Sequence, residues 1–266
     1  MFSILRQAAS KRVEERIAAQ YAMTRDVPIV TVPFDALDGC ANALREGLTL
    51  PIGSVEFVRK AMTLAGIAEP ESMSYPEALQ PWLHREVKQR RAGSILGEWF
   101  IKPTTTKTFT GFVVDILGNP DHLSFHDRAQ YNAFLALPPD TPVWVSEPVK
   151  WQSEYRYYVV NGQVLGEGRY DDAPDDMPLP DQDVVREMVA AMANSSRTPV
   201  AYGLDVGVLG SGETALIECN DAWALGYYRG TLDYRDYVEM LWLRWEQLVA
   251  DARAVVEGAG CTKEAV

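Results

Sequence analysis

The chain has 266 residues, 47% of them hydrophobic, which is enough to bury a sizeable core as one large domain or two small ones. Its 25 basic and 37 acidic residues give a formal net charge of −12, which argues against nonspecific binding to nucleic acid or to an anionic membrane surface. Its three cysteines are too scattered for a disulfide framework or a metal motif, and this favours a reducing, cytoplasmic compartment.

The sequence also lacks the pattern of a membrane-inserted segment. Residues 1–7 have no long apolar run, so we expect no signal peptide. No stretch of about 18 apolar residues, the length needed to span a bilayer, occurs in the sequence. We therefore expect a protein without membrane contacts.

The first third of the chain alternates helical and strand patterns, which predicts a small α/β unit. Residues 4–23 are rich in Ala and interleaved charges and lack Gly and Pro, which predicts a helix. A short strand is predicted at 27–33, and Ser54 is positioned to cap a helix that runs to about Ala65. The charged, amphipathic pattern at 75–91 predicts a surface helix.

The next part of the chain changes to strands and tight turns. Short β-rich runs predict strands at 99–102, 112–115 and 143–149. The first of these is expected to end at Lys102, because the proline that follows it, Pro103, cannot continue a central ladder. A polar loop that contains Lys107 follows it.

The strongest hairpin signal in the chain is the Asn161-Gly162 pair, the preferred sequence of a type I′ turn. Because side chains alternate along a strand, Glu154, Arg156 and Tyr158 share one face of the first arm. After this hairpin the sequence predicts an exposed acidic loop at 171–183 and helices at 182–194 and 234–256.

A second hairpin signal is found where two apolar runs flank Gly210-Ser211-Gly212. If the turn centres there, Asp205 faces the region of Ile217 and Glu218, and Asn220 shares a face with Glu218. Two carboxylates and an amide oxygen suit a hard cation such as Mg²⁺, which is commonly shared with the phosphates of a nucleotide. The alternative is an acidic strand edge that faces solvent, and the spacing alone does not decide between the two.

Taken in order along the chain, five motifs resemble the ATP-grasp superfamily. They are Phe-Ile-Lys-Pro at 100–103, a second lysine in the loop that follows, Val-Ser-Glu-Pro-Val at 145–149, Glu-Tyr-Arg at 154–156, and the Asp…Glu-x-Asn set within 205–220. More narrowly, they look like the ATP-grasp group marked by one arginine and two lysines, over roughly residues 99–250. The resemblance implies an α+β fold in which two α+β lobes hold a nucleotide between them.

The resemblance also implies a division of the chain into domains. The N-terminal part looks like the small α/β pre-ATP-grasp domain that precedes the ATP-grasp domain in such proteins. The expected boundaries are 1–98 for the pre-ATP-grasp domain, 99–256 for the ATP-grasp domain and 257–266 for a frayed tail.

Within this family, ATP and Mg²⁺ are the implied cofactors and each motif has a role. Lys102 and Lys107 would reach ATP phosphates, a task that suits a compact charge on a long stem. For each of them a solvated lysine is the simpler alternative. The hinge strand that contains Glu147, Pro148 and Val149 would meet the adenine edge, and its simpler alternative is an ordinary edge strand before a proline.

Polar residues of the two hairpins complete the implied site. Glu154 would lie near the ribose or at the mouth of the site. Arg156 would bind a phosphate or a substrate carboxylate, since its planar fork matches either group, and Arg169 is a second candidate for the carboxylate. The alternative for Arg156 is a cross-strand Glu–Arg pair, worth little on an exposed face. The implied Mg²⁺ ligands are Asp205, Glu218 and Asn220.

The implied activity is ATP-dependent ligation of a carboxylate to an amine through an acylphosphate, with small-molecule or peptide substrates. Two alternatives remain open at the level of sequence. One is a protein of the same fold that stops at phosphoryl transfer or only binds nucleotide, and the other is a nonenzymatic binding protein. The sequence predicts neither the identity of the substrates nor the oligomeric state.

Overall fold

The structure is a computed structural model that describes residues 2–9, 11–105, 108–196 and 198–261. Within these ranges the chain forms one parallel and two antiparallel sheets. Lys107, one of the two lysines expected to reach phosphates, lies outside the described residues.

The N-terminal unit is a three-stranded parallel sheet with helices beside it. Its strand order is β2-β1-β3. Its elements are β1 Ser3–Gln7, α1 Val13–Arg25, β2 Ile29–Val32, α2 Ala41–Arg45, β3 Thr49–Ile52 and α3 Val55–Ala65. Ser54 caps α3 as predicted, since its Oγ accepts a hydrogen bond from the backbone N–H of Phe57 at 3.2 Å.

The helix predicted over 4–23 is only partly correct, because its first residues form the central strand β1 instead. Ile4 and Leu5 are both buried, and a strand of a parallel sheet that is covered on both faces has a continuous apolar run rather than an alternating one. Such a run in a short segment is not distinguishable from a helical pattern by composition alone.

The second sheet is antiparallel, with the order β4-β7-β5-β6. Its strands are β4 Val87–Arg91, β5 Glu98–Pro103, β6 Phe112–Asp115 and β7 Pro142–Ser146. One face packs against α4, Phe125–Leu135, through Phe134, which shares a buried cluster with Ile101 and Phe112.

The surface helix predicted over 75–91 is wrong. The segment forms a 3-10 turn at Glu77–Trp82 and then the strand β4, which pairs with β7 along its whole length. Pro81 inside the turn lacks a backbone N–H, which opposes a continuous helix. Pairing with a strand more than 50 residues away then outweighs local helical preference.

The third sheet is also antiparallel, with the order β11-β10-β8-β9. Its strands are β8 Trp151–Val160, β9 Gln163–Arg169, β10 Ala201–Leu209 and β11 Thr214–Asp221. The predicted type I′ turn is confirmed, since Asn161 and Gly162 have φ angles of 50° and 72°.

Both faces of the third sheet are covered by helices. On one face, Tyr155 and Tyr157 are buried with residues of α5, Gln182–Ala193. On the other face, Tyr158 joins a core with the parallel unit and with α6, Tyr234–Cys261. None of the helices in the described part of the chain combines the length and the hydrophobicity that a membrane-spanning helix requires.

This architecture agrees with the α+β class predicted from the sequence. The division of the chain near residue 98 stays a prediction. The strands β4 and β5, which lie on either side of that position, belong to the same sheet.

Candidate active site

A cavity of about 800 Å³ lies between the second and third sheets, and we call it the central cavity. One side is lined by residues that include Phe100, Lys102 and Val149, and the other by residues that include Arg156 and Glu218. Its volume falls in the range of roughly 300–1,000 Å³ that is typical of small-molecule sites. Several of the predicted site residues line this one cavity, namely Lys102, Val149, Glu154, Arg156, Glu218 and Asn220.

Arg156 and Asp205 face each other across β8 and β10 and form a bidentate ion pair. Nε and Nη2 of Arg156 donate to the two carboxylate oxygens of Asp205 at 2.7 and 2.6 Å. Burial by itself disfavours the charge of Arg156, but the Asp205 carboxylate more than offsets this, so the pKa of Arg156 is raised. The sequence left open a cross-strand pair of Arg156 with a glutamate, and the structure pairs it across the strands with Asp205 instead.

Asp205, Glu218 and Asn220 are brought together as their spacing predicts. Asp205 is paired with Glu218 in the register of β10 and β11. Nδ2 of Asn220 donates to Oε1 of Glu218 at 2.9 Å and to Oδ2 of Asp205 at 3.1 Å. Asp205 is 2% exposed, so this carboxylate is not part of a solvent-facing strand edge.

Lys102 of β5 reaches across the central cavity to Glu218. Its ammonium forms an ion pair with Oε2 of Glu218 and donates to Oγ of Ser74 at 2.9 Å. Burial opposes the charge of both partners. The attraction between them prevails, so the pKa of Glu218 is lowered and the pKa of Lys102 is raised.

The electrostatics of Asp205 differ from those of Glu218. Burial raises the pKa of Asp205, the Glu218 carboxylate adds to this, and the Arg156 guanidinium opposes it. A cation placed between the two carboxylates would lower both pKa values, because it favours their charged forms.

Glu154 lines the central cavity on the same face as Arg156. Burial raises the pKa of Glu154, a hydrogen bond from Tyr170 opposes this, and nearby carboxylates add to it. The ring of Tyr170 stacks on Tyr228 with centroids 4.9 Å apart, and Tyr228 lies 4.8 Å from the guanidinium carbon of Arg156. These aromatic rings form the wall of the cavity beside Arg156.

Other predicted residues lie away from the central cavity. Glu147 and Pro148 are exposed and are not among its described lining residues, whereas Val149 is. The guanidinium of Arg169 is engaged by Asp171, to which Nε and Nη2 donate at 2.9 and 2.8 Å. Arg169 is likewise not among the described residues that line the cavity.

The structure also adds residues that the sequence did not indicate. Arg85, Ser74 and Tyr75 line the central cavity. The Nζ atom of Lys102 lies 5.4 Å from the ring centroid of Tyr75. Arg85 donates to backbone oxygens 131 and 132 residues away. All three belong to or border the segment that was predicted as a helix, and no local signal marks them as cavity residues.

The donor set of the site fits a hard divalent cation. Asp205 and Glu218 contribute carboxylate oxygens, and Asn220 would add its amide oxygen by turning its Nδ2 away from these two carboxylates. Carboxylate and amide oxygens are the ligands that Mg²⁺ prefers. Among the described residues no group of three or more His, Cys, Asp or Glu side chains could hold a metal ion. A cation here would therefore complete its coordination with water or with oxygens of a ligand, as Mg²⁺ commonly does.

The chain matches a family model over residues 12–244, that of family 3 of the ATP-grasp domains in the clade marked by one arginine and two lysines. Comparison with curated proteins found no significant match. Among solved structures, the chain is similar to N5-carboxyaminoimidazole synthetase from Staphylococcus aureus, with a TM-score of 0.54 and 9% identity over 91% of this chain and 77% of that chain. At this identity the similarity shows a shared fold.

Two further solved structures are similar at lower scores. One is D-alanine–D-alanine ligase from Bacillus anthracis complexed with ATP, with a TM-score of 0.49 and 11% identity over 98% of this chain and 100% of that chain. The other is L-amino acid ligase from Bacillus licheniformis, with a TM-score of 0.49 and 11% identity over 83% of this chain and 66% of that chain.

Proposed function

The chain belongs to the ATP-grasp clade marked by one arginine and two lysines, and from this premise we propose that it is an ATP- and Mg²⁺-dependent ligase that joins a carboxylate to an amine through an acylphosphate. One observation carries the proposal. A continuous network of two cations, two carboxylates and one neutral amide crosses the central cavity, in the order Lys102, Glu218, Asn220, Asp205 and Arg156.

Asp205, Glu218 and Asn220 would hold Mg²⁺. When bound, ATP and Mg²⁺ supply the phosphoryl group and neutralise the charge that it gains during transfer. The lowered pKa of Glu218 supports this role, because an ionised carboxylate can accept the cation without first losing a proton.

Lys102 would provide a positive charge for the ATP phosphates. Its ammonium is held in the cavity by Glu218 and by Oγ of Ser74 at 2.9 Å. A bound cation would compete with Lys102 for the Glu218 carboxylate. The ammonium of Lys102 would then be released to bind an anionic ligand. A long flexible stem suits this change of partner.

Arg156 would act mainly by orienting Asp205. That carboxylate engages the Nε–Nη2 edge of its guanidinium, and Nη1 donates to the backbone oxygen of Gly226 at 3.4 Å. Because Arg156 lines the central cavity, it also contributes a positive field to an anionic substrate there. The substrates we propose are small-molecule or peptide carboxylates and amines, with no nucleic-acid or membrane partner.

A test of this function measures ADP release with panels of carboxylates and amines, and traps acylphosphate with hydroxylamine as a hydroxamate. A ligase gives a hydroxamate with the correct carboxylate, and its ADP release increases with the amine. ADP release that needs the carboxylate but not the amine would indicate a phosphotransferase instead.

The matched pair of variants is Glu218→Gln and Glu213→Gln. Glu213 lies beside the turn of the same hairpin with a side chain that is 59% exposed. Glu218→Gln should abolish hydroxamate formation and Glu213→Gln should retain it. Equal activity in the two variants would remove Glu218 from the mechanism.

A further inference from the structure

We propose that Arg85 is a positioning residue for Glu218, because it holds the β-bulge that turns this carboxylate into the central cavity. The inference rests on the proposed function, in which Glu218 binds Mg²⁺. Arg85 itself is not proposed as a metal ligand, since a guanidinium has only donors.

The bulge lies directly before Glu218. Val206 of β10 is paired with Leu216 of β11, but the next pair is Asp205 with Glu218, so Ile217 is an extra residue on β11. In an unbroken ladder Asp205 would be opposite Ile217. Because side chains alternate along a strand, Glu218 would then lie on the other face of the sheet. The bulge therefore decides whether the two carboxylates meet.

Arg85 binds the backbone at this bulge. Its Nη1 donates to the backbone oxygen of Leu216 at 2.8 Å, and its Nη2 donates to that of Ile217 at 3.2 Å. Nη1 also donates to the backbone oxygen of Leu83 at 3.0 Å, which ties the bulge to the segment that carries Arg85. A bulge leaves its extra residue outside the regular ladder, so these bonds satisfy backbone groups at the irregular position.

The outer side of β11 is otherwise an open edge, since β11 is the last strand of its sheet. The segment from Ser74 to Arg85 covers this edge at two places. The backbone oxygen of Ser74 accepts from the N–H of Cys219 at 2.9 Å, one residue beyond Glu218. The backbone is thus bonded immediately before and immediately after the carboxylate.

The guanidinium of Arg85 is itself held in place. Its central carbon lies 5.3 Å from the ring centroid of Trp151, which is within the distance of a cation–π interaction. Burial lowers the pKa of Arg85, and the nearby Tyr75 and Glu218 oppose this. A lysine in place of Arg85 would not keep both hydrogen bonds to the bulge. The planar guanidinium reaches two backbone oxygens at once, whereas an ammonium is a single point charge.

The experiment measures Mn²⁺ binding in the presence of ATP by the electron paramagnetic resonance of free Mn²⁺, together with thermal unfolding of each variant. Arg85→Met and Arg85→Lys are compared with Arg253→Met, in which the lost guanidinium also donated to a backbone oxygen, that of Glu46 at 2.9 Å. We expect the two Arg85 variants to bind Mn²⁺ about 10- to 100-fold more weakly, as found for residues that orient metal ligands. Arg253→Met should keep the wild-type affinity.

A double variant distinguishes positioning from general support of the fold. If Arg85 acts through Glu218, adding Arg85→Lys to Glu218→Gln should weaken Mn²⁺ binding no further. The inference would be overturned if Arg85→Lys lowered the Mn²⁺ affinity by the same factor in the wild-type protein and in Glu218→Gln. It would also be overturned if Arg85→Lys bound Mn²⁺ with wild-type affinity. If the wild-type protein binds no Mn²⁺ with ATP, the proposed function and this inference fall together. If the wild-type protein binds Mn²⁺ with ATP and the Arg85 variants bind it equally well, the proposed function stands and this inference alone is lost.

Discussion

Arg156 and Asp205 form a deeply buried ion pair beside the central cavity, joined by two hydrogen bonds of 2.7 and 2.6 Å, with side chains that are 8% and 3% exposed. The pair lies on neighbouring strands at directly opposed positions. Since each charge is compensated only by the other and by a few polar neighbours, losing one partner leaves the other charge buried.

The first prediction follows from this burial. Arg156→Met should lower the free energy of unfolding by about 3–5 kcal/mol, because Asp205 is left as an unpaired buried carboxylate. The measurement is urea denaturation at pH 7. Arg91→Met removes an exposed pair with Asp140 and should cost less than about 1 kcal/mol. If Arg156→Met costs no more than Arg91→Met, the pair is not the stabilising unit that its burial indicates.

A double replacement refines the same test. Arg156→Met combined with Asp205→Leu removes both charges and should recover much of the stability lost in the single variant, because buried ion pairs are often replaced by apolar residues at little cost. A double variant as unstable as Arg156→Met would mean that packing, and not the unpaired charge, causes the loss.

The second prediction concerns ligand-linked stability. A ligand at about 100 times its dissociation constant adds about 2.7 kcal/mol to the stability of the native state. ATP with Mg²⁺ should stabilise the wild-type protein and Glu213→Gln but not Glu218→Gln, because only Glu218→Gln removes a carboxylate charge from the proposed Mg²⁺ site. Thermal unfolding with ATP, Mg²⁺, or both measures this. Equal stabilisation of all three proteins would contradict a cation site at Glu218.

The third prediction concerns the hairpin turn. Gly162 has φ of 72°, and a Cβ atom there would approach no closer than 3.4 Å to Ala193. Gly162→Ala should therefore destabilise by about 1–2 kcal/mol through backbone strain and not through a steric clash. Gly210→Ala, in the other hairpin, meets no atom within 4 Å and should have a smaller effect. Denaturation of both variants checks this, and equal losses would refute the strain argument.

The fourth prediction is a pH dependence. Burial opposes the charge of Asp171, but hydrogen bonds from Arg169 and from backbone N–H groups prevail, so the pKa of Asp171 is lowered. A carboxyl group with a lowered pKa in the folded protein contributes stability above its unfolded pKa of about 3.9 and loses it as the pH falls through the folded value. Asp171→Asn should therefore destabilise at pH 7 and have a progressively smaller effect below about pH 4.

The control for this prediction is Asp172→Asn, since Asp172 is the exposed neighbour in the same loop. Urea denaturation of the wild type and both variants is measured between pH 3 and pH 7. A loss in Asp171→Asn that is the same at all pH values would mean that the carboxylate charge is not what stabilises this loop.

Several features of the site were predictable because they depend only on neighbours in the sequence. The Asn161-Gly162 turn follows from the ability of these two residues to adopt positive φ. Glu218 and Asn220 share a face because strand side chains alternate with period two. The same local logic places Ser54 at the start of α3.

Secondary structure predicted from local sequence patterns is wrong where an element depends on a partner that is distant in the sequence. The strand β1 overlaps the start of a predicted helix because its apolar residues are buried on both faces of a parallel sheet. The strand β4 lies inside another predicted helix because β7 supplies its hydrogen bonds. Neither partner is visible in a window of about 15 residues around the strand, which is the range over which periodicity is assessed.

Adjacent residues encode turn type and strand periodicity, so the chemical groups that the two hairpins present could be predicted from the sequence. The partners of these groups depend on how distant parts of the chain pack together. Arg156 pairs with Asp205 on the neighbouring strand, and Lys102 pairs with Glu218 across 116 residues. Such contacts depend on sheet order, register and a single-residue bulge, and these are set by long-range packing that no local pattern specifies.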